Sequence, residues 1–188
     1  MRVLAIPGSL RADSLNARLL RHVAEQAPGG VDVELYDQAR LKAVPPYDED
    51  DDFGRGPEAV AELRAAIAAA DAILIATPEY NGSVPGVLKN AIDWASRPRA
   101  ATPLQGKPVA VTGASTGQFG AVWAQQELKK VLSTAGARTV DTSHAVAKAH
   151  EHFDDKGRLT TTDHQVGLIQ VLDALIREAE LDRELVSA

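Results

Sequence analysis

An α/β fold with a parallel, doubly wound sheet is what this chain predicts, and three observations carry it. Short apolar runs of strand length alternate with longer segments of helical periodicity. One of those runs, Ala72-Ile73-Leu74-Ile75-Ala76, is apolar at every position, which marks a strand covered on both faces. Gly, Pro and Asn punctuate the junctions between the two kinds of segment. No internal repeat or linker interrupts residues 1–188, so the expectation is one domain.

In chain order, Val3-Leu4-Ala5-Ile6 reads as a first buried strand, stopped by Pro7-Gly8-Ser9. A helix follows from about Leu15 to Ala27, with Leu15, Leu19, Leu20 and Val23 on one face and Pro28-Gly29-Gly30 at its end. Val31 to Tyr36 alternates with period two, as a half-buried or edge strand does. Asp37 to Gly56 is polar, holds Pro45-Pro46 and the acidic run Asp48 to Asp52, and reads as a surface loop. An Ala-rich helix from about Pro57 to Ala70 leads into the third strand, Ala72 to Thr77. A helix over about Val84 to Ser96 comes next, then a loop to Lys107 and a fourth strand, Pro108 to Gly113. A glycine-rich turn, Gly113 to Gly120, opens a helix that Gly136 caps at about Ala135. Arg138 to Thr142 is a short fifth strand, and a last helix runs from about Thr161 to the end.

Composition narrows the function. The 188 residues are enough for a sizeable core, with 45% hydrophobic and 24% charged residues. Cysteine is absent, which excludes disulfides, thiolate nucleophiles and Cys-ligated metals. Redox chemistry here needs a bound cofactor. A net charge of -6 argues against nucleic acid as a partner and requires a local positive site for any anionic cofactor. No apolar run reaches membrane-spanning length, and the start, Met1 to Gly8, lacks a signal-peptide core, so the expected location is the cytoplasm.

Three loops hold the chemistry-bearing residues. The first, Gly8-Ser9-Leu10-Arg11-Ala12-Asp13-Ser14-Leu15-Asn16, joins the first strand to the first helix. A helix N-terminus offers free N–H groups and partial positive charge, Ser9, Ser14 and Asn16 add short polar side chains, and Arg11 adds a fixed cation. Neither a Walker pattern nor three spaced glycines is present, so the loop suits a single terminal phosphate; plain capping by Ser14 with a solvated Arg11 fits equally well. The second loop follows the third strand: Thr77-Pro78-Glu79-Tyr80-Asn81-Gly82-Ser83, then Val84-Pro85-Gly86-Val87-Leu88-Lys89-Asn90-Ala91-Ile92-Asp93-Trp94. Asn81-Gly82 is a turn dipeptide, and Tyr80 at the strand end is placed either beside a flat ligand or in a core or interface. The third loop, Gly113-Ala114-Ser115-Thr116-Gly117-Gln118-Phe119-Gly120, is a tight strand-to-helix turn whose glycines also permit close approach of a ligand. All three lie outside the carboxyl ends of strands, where open α/β sheets bind ligands.

These loops resemble the NADPH-dependent FMN reductases, a flavodoxin-like family with azo-, quinone- and chromate-reductase members. The likeness rests on Gly8-Ser9-x-Arg11-x-x-Ser14-x-Asn16 and on Pro78-Glu79-Tyr80-Asn81 with Lys89-Asn90-Ala91-Ile92-Asp93-Trp94, and covers roughly the first two thirds of the chain. The third loop departs from the family form, with Thr116 in a Pro position and Ala121 after Gly120. The resemblance implies strand order 2-1-3-4-5, bound FMN, NADPH or NADH as reductant, and a quinone, azo dye, oxyanion or flavin as acceptor. It implies cofactor binding by Ser9, Arg11, Ser14, Leu15, Asn16, Pro78, Glu79, Tyr80, Asn81, Ser115, Gly117 and Gln118. Backbone amides of Glu79 to Asn81 would meet the polar edge of the isoalloxazine, and Ser115 and Gln118 would bond its edge or the ribityl hydroxyls. One exposed flavin face would serve both substrates in turn, giving ping-pong kinetics without a protein acid or base. A homodimer or homotetramer is also implied, and Val84, Val87, Leu88, Ile92 and Trp94 exceed what one buried helix face needs.

Two other functions fit the topology. A one-electron carrier like flavodoxin usually has a Ser/Thr-rich phosphate loop, against the Arg-bearing one here. A receiver-like signalling domain needs acidic residues where this chain has Pro7-Gly8-Ser9 and Thr77-Pro78. The acidic run Asp48 to Asp52 reads as a solvated loop, and His150-Glu151-His152 lacks partners at metal-ligand spacing.

Overall fold

The computed structural model describes residues 1–54 and 56–187, with 182–187 described by backbone alone. Its sheet has the order β2-β1-β3-β4-β5, all pairings parallel. The strands are β1 (Arg2–Pro7), β2 (Asp32–Leu35), β3 (Ala72–Thr77), β4 (Pro108–Ala114) and β5 (Arg138–Thr139), and a sixth piece, β6 (Ala145–Val146), pairs with the end of β4. The helices are α1 (Leu15–Glu25), α2 (Gln38–Ala43), α3 (Glu58–Ala69), α4 (Gly86–Ala95), α5 (Val122–Thr134) and α6 (Thr162–Ser187).

The central strands are apolar throughout because both faces are covered. On one face Leu4, Ile6, Ile73, Ile75, Val109 and Val111 meet Leu63 and Ile67 of α3, Leu88 and Ile92 of α4, and Leu128 and Leu132 of α5. On the other, Val3, Ala5, Leu74, Ala76 and Ala110 meet Leu19, Leu20 and Val23 of α1 and Leu168, Val171, Leu172 and Leu175 of α6. The alanines on this second face let α1 and α6 sit close to the sheet. Each large buried side chain contributes about 1.5–3 kcal/mol.

Three expectations need correction. Residues after Asp37 are not all loop: the Asp37 carboxylate accepts from the Ala39 N–H at 2.6 Å and caps α2, which buries only Leu41. One buried apolar residue leaves too little periodicity to read. The acidic run is not simply solvated either. Asp48 caps a short 3-10 turn, and Asp52 forms a two-pronged ion pair with Arg64 at 2.9 and 3.1 Å, with side chains 12% and 14% exposed. Arg64 also donates to the Trp94 carbonyl, tying this segment to the end of α4. Third, the fifth strand is broken. The backbone pairs with β4 at Arg138–Thr139, bows outward through polar, exposed Asp141 and Thr142, and returns at Ala145–Val146. The His144 carbonyl accepts from Thr112 Oγ1 at 2.6 Å and from the Gly113 N–H at 3.3 Å as the chain returns.

The signature helix is also quieter than its composition implied. Leu88, Ile92 and Trp94 are buried, and Val84 and Val87 pack against the same core, so no surplus apolar face remains on α4. Trp94 is fully buried, its indole N–H donating to the Pro45 carbonyl at 2.8 Å. Asn90 holds the same segment, donating to the Pro45 carbonyl and accepting from the Tyr47 N–H, both at 2.8 Å. The Lys89 to Trp94 stretch thus secures a loop from inside the molecule.

Candidate functional site

The three loops after β1, β3 and β4 converge on one cavity of about 120 Å³. Nine of the twelve residues picked from sequence line it: Ser9, Arg11, Ser14, Leu15, Asn16, Pro78, Glu79, Tyr80 and Ser115. Ala114 and Thr116 complete the lining. Asn81, Gly117 and Gln118 lie outside it. Larger clefts exist, of 370 Å³ between α4 and α5 and of 660 Å³ beside Arg2 and Glu34. A third, of 340 Å³, borders the first loop at Ala12 and Asp13 but reaches neither of the others, and the 370 Å³ cleft meets the helices that follow the second and third loops but not the loops themselves. The 660 Å³ cleft runs along α3 beside β2, and only the smaller cavity is lined by all three loops at the carboxyl ends of the strands.

Close packing at the strand ends brings the loops together. The Gly8 N–H donates to the Ala76 carbonyl at 2.8 Å, and a Cβ on Gly8 would stand 2.9 Å from Leu88 Cδ2 and 3.1 Å from that carbonyl. No larger residue lets the first loop lie against the second. Gly113 acts similarly between β3 and β4, where a Cβ would meet the Thr77 carbonyl oxygen at 2.6 Å. The glycines of the third loop were expected to admit a ligand. Gly113 and Gly120 instead face protein backbone, a Cβ on Gly120 falling 2.8 Å from the chain at 145–147.

Within the first loop, Ser14 caps α1, its Oγ accepting from the Ala17 N–H at 3.2 Å. The N–H groups of Leu15 and Asn16 precede the first intrahelical bond and point to the anion-binding end of the helix. Arg11 is exposed, and its guanidinium has no ion-pair or hydrogen-bond partner among the described residues. Asn16 is buried. Its amide donates to the Ala114 carbonyl at 3.0 Å and accepts from the Ala114 N–H at 2.9 Å, so it pins the first loop to the end of β4. Gln38 donates to the carbonyls of Ser9 and Arg11 and holds the loop from outside. Sequence reading missed Gln38. The signal was the Asp37 cap, which begins α2 right after β2 and brings its first residue to this edge.

The second loop is a two-residue hairpin. Tyr80 and Ser83 exchange N–H···O bonds at 3.1 Å around Asn81 and Gly82, both with positive φ, of 55° and 75°. Asn-Gly is the dipeptide this turn demands. It carries Asn81 to the tip, away from the cavity, and occupies the Tyr80 N–H that was expected to face a ligand. Tyr80 keeps its ring 47% exposed at the mouth. The Glu79 carboxylate accepts from the N–H groups of Trp123 and Ala124, each at 3.1 Å, and so caps α5. Its charge answers the positive end of that helix.

In the third loop Ser115 Oγ accepts from the Gly117 N–H at 2.9 Å, and its hydroxyl proton stays free for the cavity. The backbone of the loop is tied to the strand that follows. Ser115 N–H donates to the Val146 carbonyl, and its own carbonyl accepts from the Ala149 N–H at 2.9 Å.

Comparison with known proteins gives the family. The family model for NADPH-dependent FMN reductase fits residues 1–151. An NAD(P)H-dependent FMN reductase of Pseudomonas aeruginosa is 42% identical over 176 residues, covering 93% of each chain. A 2-hydroxy-1,4-benzoquinone reductase of Burkholderia sp. is 36% identical over 92% of this chain and 93% of its own. The solved structure of FerB, a flavoenzyme NAD(P)H:(acceptor) oxidoreductase of Paracoccus denitrificans, superposes with a TM-score of 0.83 at 37% identity, over 95% of this chain and 97% of its own. A Pseudomonas aeruginosa flavodoxin variant at 18% identity and TM-score 0.58 shares the fold. With the family model, these relatives and the sheet order in agreement, the chain belongs to the NADPH-dependent FMN reductase family.

Proposed function

We propose that the protein holds FMN across the three loops and uses it to pass electrons from NAD(P)H to quinones by a ping-pong sequence. The observation that carries this is the meeting of nine sequence-picked residues in one cavity at the carboxyl edge of the sheet. The donor set fits the group. The uncommitted Arg11 guanidinium and the free N–H groups at the start of α1 suit a terminal phosphate, for which the chain's net charge of -6 offers no general attraction. Ser9 and Ser14 add hydroxyls beside them, and Ser115 adds one from the third loop.

At about 120 Å³ the cavity is smaller than the ~300 Å³ of small ligand pockets, so the residues enclose only part of a flavin. An open ring face is what two successive substrates need. Bound FMN supplies the two-electron relay, and the chain supplies position and charge. The overall reaction balances as NAD(P)H plus H⁺ plus quinone giving NAD(P)⁺ plus hydroquinone. Oxidised nicotinamide leaves before the acceptor enters, because both need the same open face. Tyr80 shapes that shared space and moves no proton. A quinone acceptor is favoured over the other acceptors by the relative named for reducing 2-hydroxy-1,4-benzoquinone. Work in the cytoplasm as a homodimer or homotetramer completes the proposal. Since α4 is used up inside the chain, assembly rests on the family likeness and on Phe53, 79% exposed ahead of α3.

The test is steady-state oxidation of NADPH and of NADH by the FMN-loaded protein, with 1,4-benzoquinone as acceptor. Turnover with parallel double-reciprocal lines is expected. Intersecting lines overturn the single-face scheme, and a flavin-loaded protein that oxidises neither nucleotide is a one-electron carrier instead.

A further inference from the structure

Seven large apolar or aromatic side chains are exposed among the described residues; Leu10, Tyr80 and Phe119 stand on the loops around the cavity, and Trp123 stands just after the third loop at the start of α5. Phe119 and Trp123 are 57% and 48% exposed, and their rings meet edge to face with centroids 4.8 Å apart. No other described residue covers their open halves, and a half-open aromatic pair beside a polar cleft marks a surface that receives a ligand.

The pair is also held still. Phe119 lies in a turn that ends in Gly120 and Ala121, with φ of 58° and 64°, and Gly120 is wedged against the backbone at 145–147. Trp123 sits in the first turn of α5, where its N–H donates to Glu79 at 3.1 Å. Glu79 lines the cavity, Tyr80 follows it at the mouth, and Thr116, three residues before Phe119, lines it from the third loop. Phe119 and Trp123 stand just outside the lining itself, tied to it through Glu79, which Trp123 contacts, and through the loop that carries Thr116. A rigid aromatic shelf gains most from a flat, uncharged ring and little from a hydrated oxyanion.

We propose that Phe119 and Trp123 determine acceptor specificity, forming a shelf that receives fused-ring quinones at the mouth of the cavity. The proposal rests on the flavin-dependent reading above and assigns residues to its second half-reaction.

The probe is 1,4-naphthoquinone, titrated by calorimetry into oxidised FMN-loaded protein without nucleotide, so that binding is read without turnover. Phe119→Ser and Trp123→Ser should each weaken its affinity about fivefold, the middle of the range for an aromatic contact. Trp123→Phe should stay within about twofold of wild type. In turnover, the ratio of kcat/KM for 1,4-naphthoquinone to that for ferricyanide should fall by the same factor. Unchanged naphthoquinone affinity in both serine variants overturns the proposal. So does a drop in sedimenting mass with affinity unchanged, which makes the pair a contact between copies. Failure of the underlying flavin reading looks different: wild-type protein binds no FMN and oxidises no NAD(P)H.

Discussion

Removing the Asn16 side chain tests how the site is held together. Its amide reaches from the first turn of α1 to Ala114 at the end of β4, making two buried hydrogen bonds of 3.0 and 2.9 Å. Asn16→Ala leaves a buried N–H and a buried carbonyl of Ala114 without partners. Two bonds at about 1 kcal/mol each, plus the desolvation penalty of stranded groups, give a loss of about 2–4 kcal/mol. Water entering the vacated space would bring the loss toward the lower end. For a chain of this size that is a fall in Tm of roughly 5–12 °C. Asn16→Asp should be worse, since it keeps the acceptor for the Ala114 N–H but sets a charge against the Ala114 carbonyl. Thermal unfolding of the apoprotein by circular dichroism reads the first effect. Flavin titration reads a second, because freeing the first loop from the third should weaken FMN binding as well. A loss below about 0.5 kcal/mol, with FMN affinity intact, would refute the claim that this amide braces the two loops.

Further outcomes follow from single contacts. Arg11→Ala should weaken FMN binding by about 1.5–3 kcal/mol at low salt and by less at high salt, read by flavin titration. Tyr80→Phe should keep most quinone reductase activity; near-total loss with FMN still bound would reveal a proton-transfer role. Glu79→Gln should keep FMN bound but lower stability by about 0.3–1 kcal/mol through the α5 terminus, seen in urea unfolding. Stability should also fall as pH drops below about 6.5. Burial lowers the pKa values of His22, His144 and His164, and the charges of His152 and His144 lower that of His164 further. The folded chain then binds fewer protons than the unfolded one between the lowered values and 6.5, so acid favours unfolding. His144 Nε2 lies 2.9 Å from His164 Nδ1, a bond that two protonated rings cannot form. Urea midpoints at pH 7.5 and 5.5 should separate in wild type and draw together in His144→Gln; equal separation in both would contradict this.

Much of the architecture was legible because the apolar runs have one physical meaning. A run such as Ala72 to Ala76 needs cover on both faces, and that fixes a central parallel strand. Asn81-Gly82 foretold its turn because both residues must take positive φ. Side-chain tasks were harder to read, because a polar residue type does not say what it faces. Glu79 looks like a ligand-edge residue and caps α5; Asn16 looks like a phosphate donor and braces β4. Both partners lie far along the chain, and no local pattern encodes such pairings. Asn90 and Trp94, which carry much of the family likeness, secure the Pro45–Tyr47 segment and do not touch the cavity. Gln38 was hidden for the same reason, since its contacts depend on where a six-residue helix docks.

If the three loops form one flavin site, its first loop takes the phosphate of a flavin mononucleotide. Titration of the apoprotein with FMN and with riboflavin, followed by visible absorbance, tests it most directly. One FMN per chain is expected, with riboflavin bound at least about tenfold more weakly, since only a phosphate would engage Arg11 and the start of α1. Equal affinity for the two flavins, or no binding of either, would contradict it.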